Sequence, residues 1–331
     1  MPTLAGKLGG VKTHHLILIT LLASCRTSPP KEAGPATSAS KENSRFTLLV
    51  LGIAQDGGLP HVGCNKSCCV LARKRGIERF PVALGIFDRR TGKKLMIEAG
   101  PRVEAQIALL HRKMGVPQLP RKPLDGLFLT HAHIGHYLGL AQFGREVAST
   151  KELPTYVGRR MAQFLRTNGP WDQLIKLHQL KLHILQVEKE VEILPGLRIR
   201  PILVPHRDEY SETLAFKIRG PKRTVLFVPD VDRWNRHHGL LAHLLEGVDV
   251  AYIDGTFYDG REVPGRNLEE IPHPPMVQTM RLLQDRARKH PGSIRFIHLN
   301  HSNPLFQNKA LRKRLEARGF ALAKRGEKID L

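Results

Sequence analysis

Phe128-Leu129-Thr130-His131-Ala132-His133-Ile134-Gly135-His136-Tyr137-Leu138-Gly139-Leu140 places three imidazoles directly after an apolar run. Gly126–Thr130 reads as a buried strand, and the spacing of apolar residues over Leu138–Val147 predicts a helix. The histidines therefore occupy the loop between a strand and a helix. Imidazole is the commonest metal ligand among side chains. His131 and His133, two apart in a loop, can turn toward one ion, while His136 at the start of the helix can face a second. The rival reading is a surface turn that happens to contain histidines, and an apolar strand leading straight into all three argues against it.

Working outward, the chain alternates strand and helix signals. Phe46–Gly52, Val82–Phe87, Leu95–Glu98, Arg198–Val204, Thr213–Ile218, Thr224–Val228, Val248–Ile253 and Ile294–Leu299 read as strands bounded by Gly, Pro or Asp. Val103–Met114, His237–Leu245, Pro275–Arg288 and Lys309–Arg318 carry helical spacing. This mixture predicts an α/β layered domain over residues 46–331. No internal repeat is apparent.

Cys64-Asn65-Lys66-Ser67-Cys68-Cys69 holds every cysteine except Cys25. Three thiols and one distant imidazole make a Cys₃His zinc site, with His301 the best-placed histidine. The alternative is a disulfide from Cys64 to Cys68 or Cys69, which an oxidising compartment would favour. The adjacency of Cys68 and Cys69 strains such a local bridge, so zinc is the preferred expectation.

The histidine loop resembles the T-H-x-H-x-D-H signature of the metallo-β-lactamase superfamily, and the resemblance extends from Phe46 onward. Thr130, His131, His133 and His136 match, whereas Gly135 stands where the family has aspartate. The resemblance implies an αββα sandwich of the metallo-β-lactamase fold. It also implies that His131, His133 and His206 hold one metal, that His136 and His298 hold another, and that Asp230 lies between them. The missing aspartate implies a second site that is weaker, differently filled or absent. Within the superfamily, Gly52–Pro60 with the cysteine cluster, Ile253–Phe257 and His298–Pro304 resemble the pyrroloquinoline-quinone biosynthesis protein B group. A related phosphodiesterase of the carbon-phosphorus lyase system pairs three cysteines with a histidine three residues beyond a metal-binding one, as His298 and His301 would. Members of the quinone group lack the first two histidines, so retention of His131 and His133 points to hydrolysis.

The chemistry expected is attack by metal-activated water on an ester-type bond such as a phosphodiester or lactone, with one or two divalent ions. Zinc is the expected ion, with Mn²⁺ or Fe²⁺ as alternatives, and a further structural Zn²⁺ at the cysteines. Asp230, Asp56 and Asp254 are the expected catalytic carboxylates; His61, Asp208 and His273 are further candidates for substrate contact or proton transfer. Two rival functions are a quinone-biosynthesis-like oxygenase on His136, Asp230 and His298, and a metal- or ligand-binding lipoprotein with weakened catalysis.

Lysine and arginine outnumber acids 52 to 30, a field that attracts anions and favours an anionic small-molecule substrate. Aromatics are 6% of residues and form no stacking run, so nucleic acid is not an expected partner. At the N-terminus, Lys7 and Lys12 precede the apolar run Leu16–Leu22, which is too short for a membrane span and reads as a signal peptide over residues 1–24. Leu22-Ala23-Ser24-Cys25 resembles a bacterial lipobox and implies a lipid on Cys25, hence an exported lipoprotein anchored to the bacterial membrane and facing the periplasm or exterior. Residues 25–45, rich in Ser, Thr and Pro, read as its tether.

Overall fold

Seven consecutive apolar or small residues, Phe46–Gly52, form β1, and each is buried. A strand buried on both faces needs layers on both sides, which the rest of the chain supplies. The computed structural model describes residues 44–237, 239–265 and 271–331. After β1 come α1 (Ser67–Lys74), β2 (Ala83–Asp88), β3 (Lys94–Ile97), α2 (Val103–Met114), β4 (Gly126–Phe128), α3 (Ile134–Tyr137), β5 (Leu153–Val157), α4 (Arg159–Thr167), α5 (Trp171–Lys176) and β6 (Leu180–Ile184). There follow β7 (Val191–Leu194), β8 (Leu197–Val204), β9 (Thr213–Arg219), β10 (Thr224–Val228), α6 (Leu240–Leu245), β11 (Val250–Asp254), α7 (Met276–Leu282), α8 (Gln284–Lys289), β12 (Ile294–Ile297), α9 (Lys309–Ala317), β13 (Ala321–Leu322) and β14 (Lys328–Asp330).

The strands make two seven-stranded sheets, ordered β14-β1-β2-β3-β4-β5-β6 and β7-β8-β9-β10-β11-β12-β13. In each, the first three pairings are antiparallel and the last three parallel. The two sheets thus repeat one topology that the amino-acid sequence does not display, with β14 taking in the first sheet the place that β7 takes in the second. Alternate residues of β1 serve different layers. Leu48 and Val50 join the core shared with Ile199, Phe216 and Phe227 of the other sheet, while Leu49 and Leu51 meet Val103 and Ile107 of α2. The pairings also send the C-terminal ends of β1, β3 and β4 one way, and those of β8, β10, β11 and β12 likewise within their sheet. Such ends are where open α/β sheets place ligands.

Several expectations need correction. Leu138–Val147 is not an α-helix: Leu138–Phe143 is a tight 3₁₀ segment, because the Gly139 amide donates to the Ala99 carbonyl at 2.7 Å instead of along a helix. A Cβ at Gly139 would stand 2.3 Å from the Gly100 carbonyl oxygen, so this close crossing requires glycine. Pro275–Arg288 forms two helices, with Leu283 between them at φ −108°, ψ 12°. The folded unit also begins before residue 46. Ser44 is buried and its hydroxyl donates to the Leu331 carbonyl, and Arg45 pairs with the buried Asp88 at 2.8 Å, so both residues belong to the folded unit. Residues 1–24 and Cys25 lie outside the described residues. No helix among those described is long and apolar enough to cross a membrane.

Candidate metal centre

Thr130 ends the strand-to-loop passage after β4 and is held from below. Its hydroxyl donates to Glu98 Oε1 at 2.6 Å, and the same oxygen lies 3.1 Å from His136 Nδ1. Glu98 follows β3, is fully buried, and has φ 76°. A carboxylate bonded to Nδ1 fixes the imidazole so that Nε2 faces the opposite way. His136 Nε2 accordingly points at Asp230 Oδ2, 3.1 Å distant. Sequence reading missed Glu98, whose only signal was an acid at the end of an apolar strand.

Asp230, just beyond β10, is the hub. Its Oδ2 is 3.5 Å from His131 Nε2 and 3.5 Å from His298 Nε2, and its Oδ1 is 3.5 Å from His206 Nε2. His131 Nε2 and His133 Nδ1 are 2.9 Å apart. Three overlapping groups of donors result, each gathered within 4.8 Å: His131, His133, His206 and Asp230 form one, Asp56, His136 and His298 a second beside Asp230, and Asp230, Asp254, His273 and His298 a third. Two nitrogen or oxygen donors at about 2.0–2.1 Å from a tetrahedral zinc stand about 3.3 Å apart, and the observed separations bracket that value. Each imidazole is held from behind: His133 by Glu209 at 3.0 Å, His206 by Asp232 at 3.2 Å, and His298 by the Thr256 hydroxyl at 3.0 Å.

Four buried atoms that face one another, His136 Nε2, His206 Nε2, His298 Nε2 and Asp230 Oδ1, have no hydrogen bond of acceptable geometry. Buried polar atoms are rarely left so, and a cation among them would satisfy all four. The charges agree. Burial pushes His131, His133 and His298 below the usual imidazole range, which leaves their lone pairs free to bind. Burial works against ionised Asp230, yet the imidazoles of His298, His206 and His273 hold it well below the usual carboxylate range. For His136, burial opposes the charged form, but Glu98 and Asp230 outweigh it and raise the group well above 6.5.

Residues 93–326 match the family model described as a beta-lactamase superfamily domain. The chain belongs to the metallo-β-lactamase superfamily. Among members of this superfamily, it is 23% identical over 320 residues to coenzyme PQQ synthesis protein B of Rhizobium meliloti (strain 1021), spanning 88% of this chain and 99% of that one. The metallo-β-lactamase fold is shared with Zn(2+)-bound PqqB from Methylobacterium extorquens, at a TM-score of 0.70 and 22% identity, covering 86% of this chain and all of that structure. A diphosphatase from the PhnP family has a TM-score of 0.60 at 18% identity, covering 86% and 96%.

The other candidates from sequence divide. Asp254 and His273 join the centre from its buried side. His273 Nδ1 lies 2.8 Å from Asp254 Oδ2 and 3.2 Å from Asp230 Oδ1, and although burial opposes its charge, Asp254 and Asp230 raise it to about 9. Asp254 is fully buried and also accepts from the Thr256 amide and hydroxyl, so it anchors His273 and Thr256 rather than facing solvent. Asp208 is bound to Arg160 at 2.8 Å, in a cavity of about 790 Å³ that His206 also lines. His61 does not reach the centre. Its ring stacks on His301 with centroids 4.6 Å apart, and its amide donates to Cys69 Sγ.

That stacking belongs to the second cluster. Cys64, Cys68, Cys69 and His301 bring one donor atom each within 4.8 Å of the others. The three cysteines are free, so the disulfide alternative is not what the structure shows. Cys68 Sγ and Cys69 Sγ are 3.9 Å apart, against about 3.8 Å for thiolates at about 2.3 Å from a tetrahedral zinc. Burial, with His61 and Lys66 nearby, lowers His301 to about 4, which keeps it neutral and able to ligate. The helix α1 was not foreseen in the sequence; it is what turns Cys68 and Cys69 toward Cys64.

Proposed function

We propose that this protein is a metal-dependent hydrolase acting on an ester-type bond of an anionic small molecule, exported and anchored to a membrane through Cys25. The observation that carries the catalytic reading is the convergence of three orphaned imidazole nitrogens on the ionised, buried Asp230. His131, His133 and His206 would hold one divalent ion, and His136 and His298 another, with Asp230 facing both; zinc suits the donor set, and Mn²⁺ or Fe²⁺ are alternatives. Bound there, such ions lower the pKa of water to near neutrality and polarise the scissile bond's oxygen. Asp230 has the role of orienting the attacking water through an acceptor oxygen. The buried hydrogen-bond frame of Glu98, Thr130, Asp254 and Thr256 keeps the ligands from relaxing when charge redistributes. Cys64, Cys68, Cys69 and His301 would hold a structural Zn²⁺ that fastens the loop after β1 to the segment following β12.

The excess of 52 basic over 30 acidic residues supports an anionic substrate, and a phosphodiester is the preferred member of that class. The test is metal analysis of protein purified without added metal, joined to hydrolysis assays on a chromogenic phosphodiester, a lactone and a cephalosporin. His131→Ala should abolish tight metal binding at the first group and all hydrolysis together. Metal-loaded wild-type protein that cleaves none of the three would overturn the hydrolase reading.

A further inference from the structure

Gly135 removes from the histidine loop a carboxylate that its signature normally carries, and the space beside it is not empty. A Cβ built on Gly135 would stand 2.2 Å from Asp56 Oδ1, 2.4 Å from Asp56 Cα and 2.9 Å from Asp56 Cβ. The side chain that fills the vacancy is itself an aspartate. We propose that Asp56 supplies the second metal with the carboxylate ligand that position 135 lacks, so that Asp56 and Gly135 act as an exchanged pair. The proposal rests on the two-metal reading above.

Four observations support it. The Asp56 carboxylate gathers with His136 and His298 within 4.8 Å, and Asp230 Oδ2 lies 3.1 Å from His136 Nε2 and 3.5 Å from His298 Nε2 on the neighbouring side. His136 Nε2 and His298 Nε2, both on fully buried residues, lack hydrogen-bond partners and face this group. Among the described residues, the only ion-pair contact of Asp56 is His136 Nε2 at 3.8 Å, so no lysine or arginine has claimed the charge. Its backbone has φ 35°, in the left-handed region that side chains seldom adopt, which costs energy and persists where surroundings impose it.

The loop carrying Asp56 is clamped to the strand end that carries His298. The Gln55 amide donates to the Leu299 carbonyl at 2.8 Å, the Leu299 amide returns to the Ile53 carbonyl at 2.9 Å, and Asn300 Nδ2 donates to Gln55 Oε1 at 2.7 Å. Asp56 and His298 are thereby fixed relative to each other before any ion arrives. The carboxylate has moved from the helix start to the end of β1, and glycine at 135 is the complement that makes room.

The probe is Mn²⁺ alone, an ion that suits carboxylate ligands and that soft thiolates do not select, added to the full chain after chelator dialysis. Bound ions per chain and the exchange-coupled electron paramagnetic resonance signal of adjacent Mn²⁺ ions are read, neither of which requires turnover. Wild-type should bind two ions and show coupling. Asp56→Asn, which keeps the shape, should weaken the second ion by more than about 100-fold, the upper loss seen for outer supporting groups, and lose the coupled signal. Gly135→Ala should do the same by displacing Asp56, and Asp56→Gly with Gly135→Asp should restore coupling. Where the double variant does not fold, judged by thermal melting, Asp56→Asn decides alone. Asp56→Asn with two ions, unchanged affinity and unchanged coupling overturns the proposal, as does a wild-type chain holding a single Mn²⁺ at the histidines. Coupled ions lost in Asp56→Asn, but no hydrolysis by wild-type, would uphold this assignment while sinking the hydrolase reading.

Discussion

Glu98→Gln offers a quantitative test of how the centre is held. Glu98 Oε1 accepts from the Thr130 hydroxyl at 2.6 Å and from His136 Nδ1 at 3.1 Å, entirely away from water. The glutamine keeps shape and can keep both bonds, but it loses the charge that makes His136 Nε2 a strong base. Its amide nitrogen, in place of Oε2, would also face the Thr130 amide 3.4 Å away, donor against donor. Removing such support costs about 10–100-fold in metal affinity, or about 1.4–2.7 kcal/mol. The proton also feels Glu98. Burial opposes the charged form of His136, yet Glu98 and Asp230 hold it well above 6.5, so at neutral pH a proton competes with the metal for Nε2. Glu98→Gln weakens both competitors, and its loss of apparent affinity should therefore be smaller at pH 7 than at pH 9. Chelator-competition titrations at the two pH values read this directly. Glu98→Ala should instead lower stability by about 2–6 kcal/mol, since the His136 Nδ1 and the Thr130 amide then lack a partner, at about 1–3 kcal/mol each, while the Thr130 hydroxyl keeps His131 Nδ1. Equal affinity for wild-type and Glu98→Gln at both pH values, with equal unfolding midpoints, would refute the positioning role.

Cys68→Ser should lower the melting temperature, and a chelator should lower that of wild-type far more than that of the variant, as differential scanning fluorimetry can show; a native Cys64 disulfide found by mass spectrometry would contradict it. Cys25→Ala should release the mature domain from membranes, and a variant that stays bound through high-salt washing removes the lipid assignment. Asp88 is buried, which opposes its charge, but Arg45, Thr91 and the Arg90 amide hold its carboxyl at about 2. Because that value lies below the roughly 3.9 of an unfolded aspartate, its contribution to stability is complete above about pH 4 and lost as pH falls through about 2. Asp88→Asn should therefore be less stable than wild-type in urea at pH 7, with the gap closing toward pH 2; a gap independent of pH would show that packing, not charge, is at work.

The residues legible in the sequence share one property: they sit where a strong local pattern ends. His131, His206, Asp230 and His298 each follow an apolar strand, and the strand-end geometry that gathers them is set by pairing direction. Glu98 was not legible because its meaning lies in Thr130 and His136, some thirty-odd positions along the chain. Asp56 was legible as an expected catalytic carboxylate, but its closeness to Gly135 was not, since that clash is spatial. β5 and β6 escaped because they lie toward an edge, with Pro154 in one and Lys181 and His183 interrupting the other. α4 buries Met161, Ala162, Phe164 and Leu165 on one face, a pattern spread over only nine residues. Leu138–Val147 misled because its apolar spacing is genuine, while Gly139 spends its amide on a neighbouring loop.

The pairing of β14 with β1 has a consequence for how the protein is made. Thr47 and Asp330 face each other across 283 positions, whereas β7–β13 form their sheet from one uninterrupted stretch. On the ribosome the second sheet can assemble from neighbours, but one side of β1 waits for a partner that is translated after β13. Pairings between such distant segments form slowly, and an unpaired strand edge invites strands from other chains. A nascent chain paused between β13 and β14 already carries every candidate metal ligand, yet still presents the open amides of β1 to whatever strand comes first.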